Sequence, residues 1–330
     1  MADRLRTISP RERALYLKTL PFARDLDNES ILLAALEMQE RSFSPGEHLL
    51  TAGEPIEGVY ILTSGRVELR QEASRVGGLE APARVGLLGL LVGNRTGAGA
   101  EAPGDVVAVT RVEALELPAE LLDQMLTGNV AFLLGLLRWI ASQLVGLPNQ
   151  PLRGEVDGRP AAVEGEIDLF ERLRWMWAAE PFAGSDLQAV LELARHQEVR
   201  RFDSGDALWR GDQPADTLFW LIDGAVEVGG GSLPGVEVGG VAGLLEAFGE
   251  GTYRRVARAT EPTTALALPF DYLIDVLEEY PPLGIALMES FAFVAVEHRW
   301  CHQCQQRETS ELTGFNTRPA LDFGHYEAID

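Results

Sequence analysis

The feature that most constrains this chain is that it repeats itself. "LPFARDLDNESILLAALEMQERSFSPGEHLL", beginning at Leu20, matches "EPFAGSDLQAVLELARHQEVRRFDSGDALW", beginning at Glu180, at an offset of about 160 residues. The match continues through "AGEPIEGVYILTSGRVEL" and "RGDQPADTLFWLIDGAVEV", "VGLLGLL" and "GGVAGLL", and "VEALELPAELLDQML" and "TTALALPFDYLIDVL". The offset drifts only where loops change length, so one unit of about 140 residues is used twice. A chain of 330 residues is long for a single core, and the repeat divides it. We place a first domain at 1–146, a linker rich in Pro, Gly and acid at 147–166, a second domain at 167–304, and a tail without periodicity at 305–330.

Each unit has the same local logic. In the first, Ser9, Pro10 and Glu12 form a capping-box pattern with proline at the first helical position, and "SILLAALEMQER" then carries apolar residues at helical spacing. The period changes to two in "GVYILTSGRVELR", around Ser64-Gly65, and in "TLFWLIDGAVEV", around Asp223-Gly224. The units end on helices such as "VAFLLGLLRWIASQLV". Short strands with glycine turns, bracketed by helices, predict a mainly β fold with flanking helices: two tandem antiparallel jelly-roll barrels.

Three features, in one order and spacing and found twice, resemble the cyclic-nucleotide-binding domain family, the regulatory module of catabolite activator protein and of the regulatory subunit of cyclic-AMP-dependent protein kinase. They are the "FSPGE" turn (Phe43–Glu47; Phe202–Asp206), the later "AGE" (Ala52–Glu54; Arg210–Asp212), and the "VYILTSGRV" hairpin. The resemblance covers Arg11–Val145 and Leu169–Gln303 and implies barrels of cyclic-nucleotide-binding type. It also implies a phosphate-binding cassette similar to G-E-x-A/G-L, with an arginine and small residues following a short helix. The glutamate would accept from the ribose 2′-hydroxyl, and the arginine and nearby N–H groups would hold the phosphate.

Against that pattern both cassettes are degenerate. In the first, Gly86 and Gly89 match but Leu87 stands where the glutamate is implied; in the second, Gly240 and Gly243 match and Val241 stands there. For the arginine, "GTYRRVA" is similar to the family's G-T-P-R-A-A and would bring in Arg254, with Arg255 beside it, whereas counting back from "ALALP" puts Tyr253 at that register. In the first copy the same count gives Ala102, while Arg95 follows Gly86 but lies far before the strand. A ribose hydroxyl facing hydrocarbon costs ~1–3 kcal/mol, and a lost charge-assisted bond ~1.5–3 kcal/mol more. Together these amount to a few powers of ten in affinity. Leucines are expected to fill the first pocket, and Arg254 and Arg255 are expected to be a solvated pair.

Composition narrows the rest. A net charge of −22 repels nucleic-acid phosphates and anionic membranes, and after the second unit too little chain remains for a winged helix, so no nucleic-acid partner is expected. No apolar run approaches the ~20 residues of a membrane span. Two cysteines, Cys301 and Cys304, make no disulfide framework and suit a reducing cytoplasm. Lys18 is the sole lysine, which points to a GC-rich, bacterial genome. His298, Cys301, His302 and Cys304 could share a helix face as a soft-metal site, but one helix cannot surround an ion, so no metal and no cofactor is expected. No catalytic pattern includes His48, His196 or His325, and the chain reads as a non-enzyme. The helix "VAFLLGLLRWIASQLVGL" is apolar nearly all round and must be covered, by the other copy or by a second chain. The reading is a regulatory or scaffold module working through a protein partner or homo-oligomer. The alternative is a sensor that binds a cyclic nucleotide or other small anion in the second domain.

Overall fold

The computed structural model describes residues 8–145 and 167–300, apart from 24–25, 72–73, 97–99, 178–181, 183–184 and 231–234. The first copy runs α1 (Pro10–Lys18), α2 (Asn28–Glu37), β1 (Gln39–Phe43), β2 (His48–Leu50), β3 (Gly58–Ser64), β4 (Arg66–Gln71), β5 (Ser74–Glu80), β6 (Ala83–Val85), α3 (Leu87–Thr96), β7 (Asp105–Ala108), β8 (Val112–Pro118), α4 (Ala119–Gly128) and α5 (Val130–Leu144). The second runs α6 (Leu169–Trp177), α7 (Leu187–Arg195), β9 (Glu198–Phe202), β10 (Ala207–Trp209), β11 (Gln213–Pro214), β12 (Thr217–Asp223), β13 (Val226–Val228), β14 (Val241–Ala242), α8 (Leu244–Gly249), β15 (Thr252–Tyr253), β16 (Ala257–Ala259), β17 (Thr263–Pro269), α9 (Phe270–Glu279) and α10 (Pro281–Trp300).

The first barrel consists of two antiparallel four-stranded sheets, β1-β8-β3-β6 and β2-β7-β4-β5. The second repeats them as β9-β17-β12-β14 and β10-β16-β13, with β11 and β15 pairing alongside. Among the described residues β5 has no counterpart strand. The chain leaves β13 through Gly229 and Gly230 and returns at Val236, which exchanges both backbone hydrogen bonds with Val226.

The entry helices are held identically in both copies. Ser9 and Glu12 cap α1 reciprocally, Ser9 N–H to Glu12 Oε2 at 2.8 Å and Glu12 N–H to Ser9 Oγ at 3.3 Å. Asp168 and Glu171 make the same exchange at α6, at 3.3 and 2.9 Å. Arg13 then donates to the carbonyls of Ile8 and Met38, and Arg172 to those of Ile167 and Gln197. Each arginine ties the start of its helix to the chain just before the first strand.

The two copies interlock through their last helices. α5 and α10 pack on each other, and each also crosses to the opposite copy, α5 onto α8 and α10 onto α3. This explains why α5 is apolar on every side: Leu133, Leu134, Leu136, Leu137, Ile140, Ala141 and Leu144 are all buried, and the other copy provides the cover that its own barrel cannot. At the crossing, a Cβ on Gly249 would lie 2.8 Å from the Ser142 backbone nitrogen and 2.9 Å from its Cα. A Cβ on Gly284 would instead meet the Leu133 side chain, 2.8 Å from Cδ2. Among the described residues no single helix is long and apolar enough to cross a membrane.

Backbone cannot retreat as a leucine methyl can. Gly249→Val is therefore expected to destabilise the protein by ~1–3 kcal/mol, the usual cost of overpacking. Gly284→Ala should stay within ~1 kcal/mol of the parent, because the leucine shifts and alanine is the better helix former. Urea unfolding of the two variants measures both.

Candidate functional site

In the first copy β6 runs beside β3, with Val85 opposite Tyr60. The chain then turns at Gly86, with φ +93°, into α3. A side chain there would be strained in φ and would also strike the Gly58 carbonyl oxygen, 2.8 Å from its Cβ. Leu87 opens the helix and is buried. Gly89 follows, against the tip of Ile56.

Strand pairing aligns the second copy independently of sequence. Gly58 faces Pro118 as Thr217 faces Pro269, so Tyr60 corresponds to Phe219, Val85 to Ala242 and Gly86 to Gly243. Gly243, with φ +89°, makes the turn into α8. This corrects the expected position of the missing carboxylate. Leu244, buried at the start of α8, occupies it, whereas Val241 lies on β14 opposite Trp220 and Gly240 precedes that strand. Gly243, not Gly240, is the counterpart of Gly86, and Glu246 rather than a glycine falls opposite Gly89.

The same strand alignment puts Asp212, rather than Gly211, in the place of Gly53, both with positive φ, and a second pair of hydrogen bonds extends the equivalence. Gly53 N–H donates to the Ala102 carbonyl at 2.9 Å, and Asp212 N–H to the Tyr253 carbonyl at 2.7 Å, so Ala102 and Tyr253 are equivalent. Both are buried. Arg254 points away from the barrel, its side chain 68% exposed and its Nε 2.5 Å from Glu250 Oε2. Arg255 is exposed as well. On α8 burial raises the Glu246 carboxyl above its ordinary value, and the neighbouring Glu250 adds to the shift. Arg95 lies in the last turn of α3, and its side chain falls outside the described residues.

The two barrels differ in what fills them. In the second, Trp209 is stacked between Tyr253, at 4.4 Å between ring centroids, and Phe219, at 5.8 Å, and its indole N–H donates to the Arg255 carbonyl at 2.8 Å. The Tyr253 hydroxyl donates to the Thr217 carbonyl, and its ring comes to 3.2 Å from a Cβ built on Gly243. Burial pushes this hydroxyl far above the ordinary phenol value. In the first, Leu50 takes the place of Trp209 at the end of the corresponding strand and Ala102 that of Tyr253. A cavity of about 420 Å³ remains, and leucines do not fill it. Strand residues Leu50, Leu69 and Val106 wall it on one side, and the cassette residues Gly86–Gly89 on another. α5 contributes Trp139 and Ile140, and α10 reaches over from the second copy with Ala295 and half-buried His298. Arg84, on β6, lies with its guanidinium 4.9 Å from the Trp139 ring centroid, a cation–π contact.

The first barrel's cavity went unnoticed in the sequence, although Leu50 and Trp209 stand 159 residues apart, close to the repeat offset. Of the candidate metal residues, His298 lines this cavity, while Cys301, His302 and Cys304 lie outside the described residues. Among the described residues no group of three or more His, Cys, Asp or Glu is placed to hold a metal.

The model of the cyclic nucleotide-binding domain matches residues 40–129 and 199–280. No curated protein matches the chain. Similar solved structures include the regulatory domain of Toxoplasma gondii PKA with cAMP, 15% identical, covering 87% of this chain and 97% of that one at a TM-score of 0.33. Another is the regulatory subunit of a cAMP-independent protein kinase A from Trypanosoma brucei, 16% identical, covering 92% of this chain and 95% of that one at a TM-score of 0.34.

Tyr253 has a pH signature. Its hydroxyl keeps its proton in the folded state after an unfolded tyrosine, near pKa ~10, has lost it, so the folded state binds more protons and stability falls as pH rises above ~10. Tyr253→Phe should weaken that fall while costing ~0.5–1.5 kcal/mol at neutral pH for the lost hydrogen bond. Unfolding at pH 7 and at a series of values above 10 provides the check.

Proposed function

Because the chain belongs to the cyclic nucleotide-binding domain family, yet neither cassette carries the family's polar groups, we propose that it is a non-enzymatic regulatory or scaffold module acting through protein–protein contacts. Its pockets do not take a cyclic nucleotide in the usual way. The observation that carries this reading is the pairing of Leu87 with Ala102 in one copy and of Leu244 with Tyr253 in the other. At each position where a ribose would need an acceptor the side chain is aliphatic, and at each position where a phosphate would need a cation it is neutral. We take its setting to be the bacterial cytoplasm.

The contacts open to a partner differ from those expected. The terminal helices α5 and α10 are occupied with each other and with the opposite copies. Apolar side chains are exposed instead on the entry helices: Leu15 on α1, Leu33 and Leu36 on α2, and, on the equivalent helices of the second copy, Phe170 on α6 and Leu187 on α7. Two equivalent faces of this kind suit a protein partner or a second copy of the chain. The alternative, an anion sensor in the second domain, has less support, since Tyr253 occupies the register and Arg254 turns outward to Glu250.

Calorimetric titration of the full chain with cyclic AMP and with cyclic GMP is expected to give no saturable heat, and saturable micromolar binding would reject the proposal. Returning both groups to the first copy, Leu87→Glu with Ala102→Arg, should create measurable cyclic AMP binding. The same repair in the second copy, Leu244→Glu with Tyr253→Arg, should not, because Trp209 still fills the barrel.

A further inference from the structure

The first barrel has a cavity where the second places two stacked aromatic side chains. Trp209 and Tyr253 occupy that space in the second copy, and Leu50 and Ala102 leave it open in the first. At about 420 Å³ it is well above the size of apolar cavities that hold benzene and within the range of small-molecule sites. Its chemistry is narrow. Among the described residues the wall has no acidic side chain, and its ionisable members are Arg84 and His298. Arg84 is laid against Trp139, Gln143 adds an amide from α5, and the other lining side chains are aliphatic or aromatic. Such a lining offers a cation no partner, and its many apolar side chains stabilise an apolar ligand by removing its surface from water.

We propose that this cavity binds one uncharged, predominantly apolar, ring-sized molecule, held between Leu50, Leu69, Val106 and Leu87 and closed by Ala295 and His298. This rests on the reading that the pocket does not take a cyclic nucleotide by the family's contacts. The closing residues come from α10, which belongs to the second copy and also packs on α5. Occupancy of the first barrel is therefore sensed directly by the helix that joins the two.

N-Phenyl-1-naphthylamine, an uncharged fluorescent probe, tests this on the full chain. Its fluorescence should rise saturably with one probe per chain. Leu69→Trp, which fills the cavity from the strand side, and Ala295→Leu, which fills it from α10, should each weaken binding at least tenfold while melting near the parent temperature. Leucine is a good helix former, so Ala295→Leu keeps the test decisive if Leu69→Trp does not fold. Val109→Thr changes an exposed apolar side chain, 45% accessible, that does not line the cavity, and should leave binding unchanged. Absence of saturable binding, or undiminished binding in a folded cavity-filling variant, overturns the inference and leaves the preceding proposal standing. Displacement of the probe by millimolar cyclic AMP overturns that proposal instead.

Discussion

The whole molecule depends on the crossing of α5 and α10. Each of these helices is too apolar to face water, and each is covered by three surfaces at once: its own copy, the other terminal helix and the opposite cassette helix. Gly249, set against the backbone of Ser142, is where the arrangement comes closest. The packing makes one structure of two repeats. It also uses up the surfaces on which a partner would otherwise be sought.

On this shared frame the copies have diverged by a small number of side chains. An aromatic stack of Phe219, Trp209 and Tyr253, tied down by two hydrogen bonds to backbone carbonyls, occupies the second barrel. The first keeps an aromatic ring at Tyr60 but has Leu50 and Ala102 where the second has Trp209 and Tyr253, and a cavity of about 420 Å³ remains. Both have a buried leucine directly after the glycine that turns into the cassette helix, so the difference between them lies in the volume of the barrel side chains.

Much of this was legible in the residues. The repeat and the alternation around Ser64-Gly65 and Asp223-Gly224 led to a mainly β fold with two barrels, whereas the two ways of counting in the second copy left Arg254 and Tyr253 both open. The cassette alignment of the second copy was not legible, because Gly240 and Gly243 match the spacing of Gly86 and Gly89 and only the pairing of β14 with β12 puts Gly243 in the place of Gly86. The crosswise packing was hidden for a different reason. A helix apolar on all sides reveals that something covers it, but the identity of the cover depends on long-range geometry that no local pattern encodes. The hollow likewise follows from pairs of residues, Leu50 with Ala102 and Trp209 with Tyr253, that are far apart in sequence and meet only in the barrel.

One consequence concerns biosynthesis. α3 and α5 leave the ribosome long before residues 281–300, which will cover them, have been translated. During that interval the nascent first copy carries a bare hydrocarbon face, the kind of surface that holdase chaperones grip, and its maturation waits on the last helix to be made.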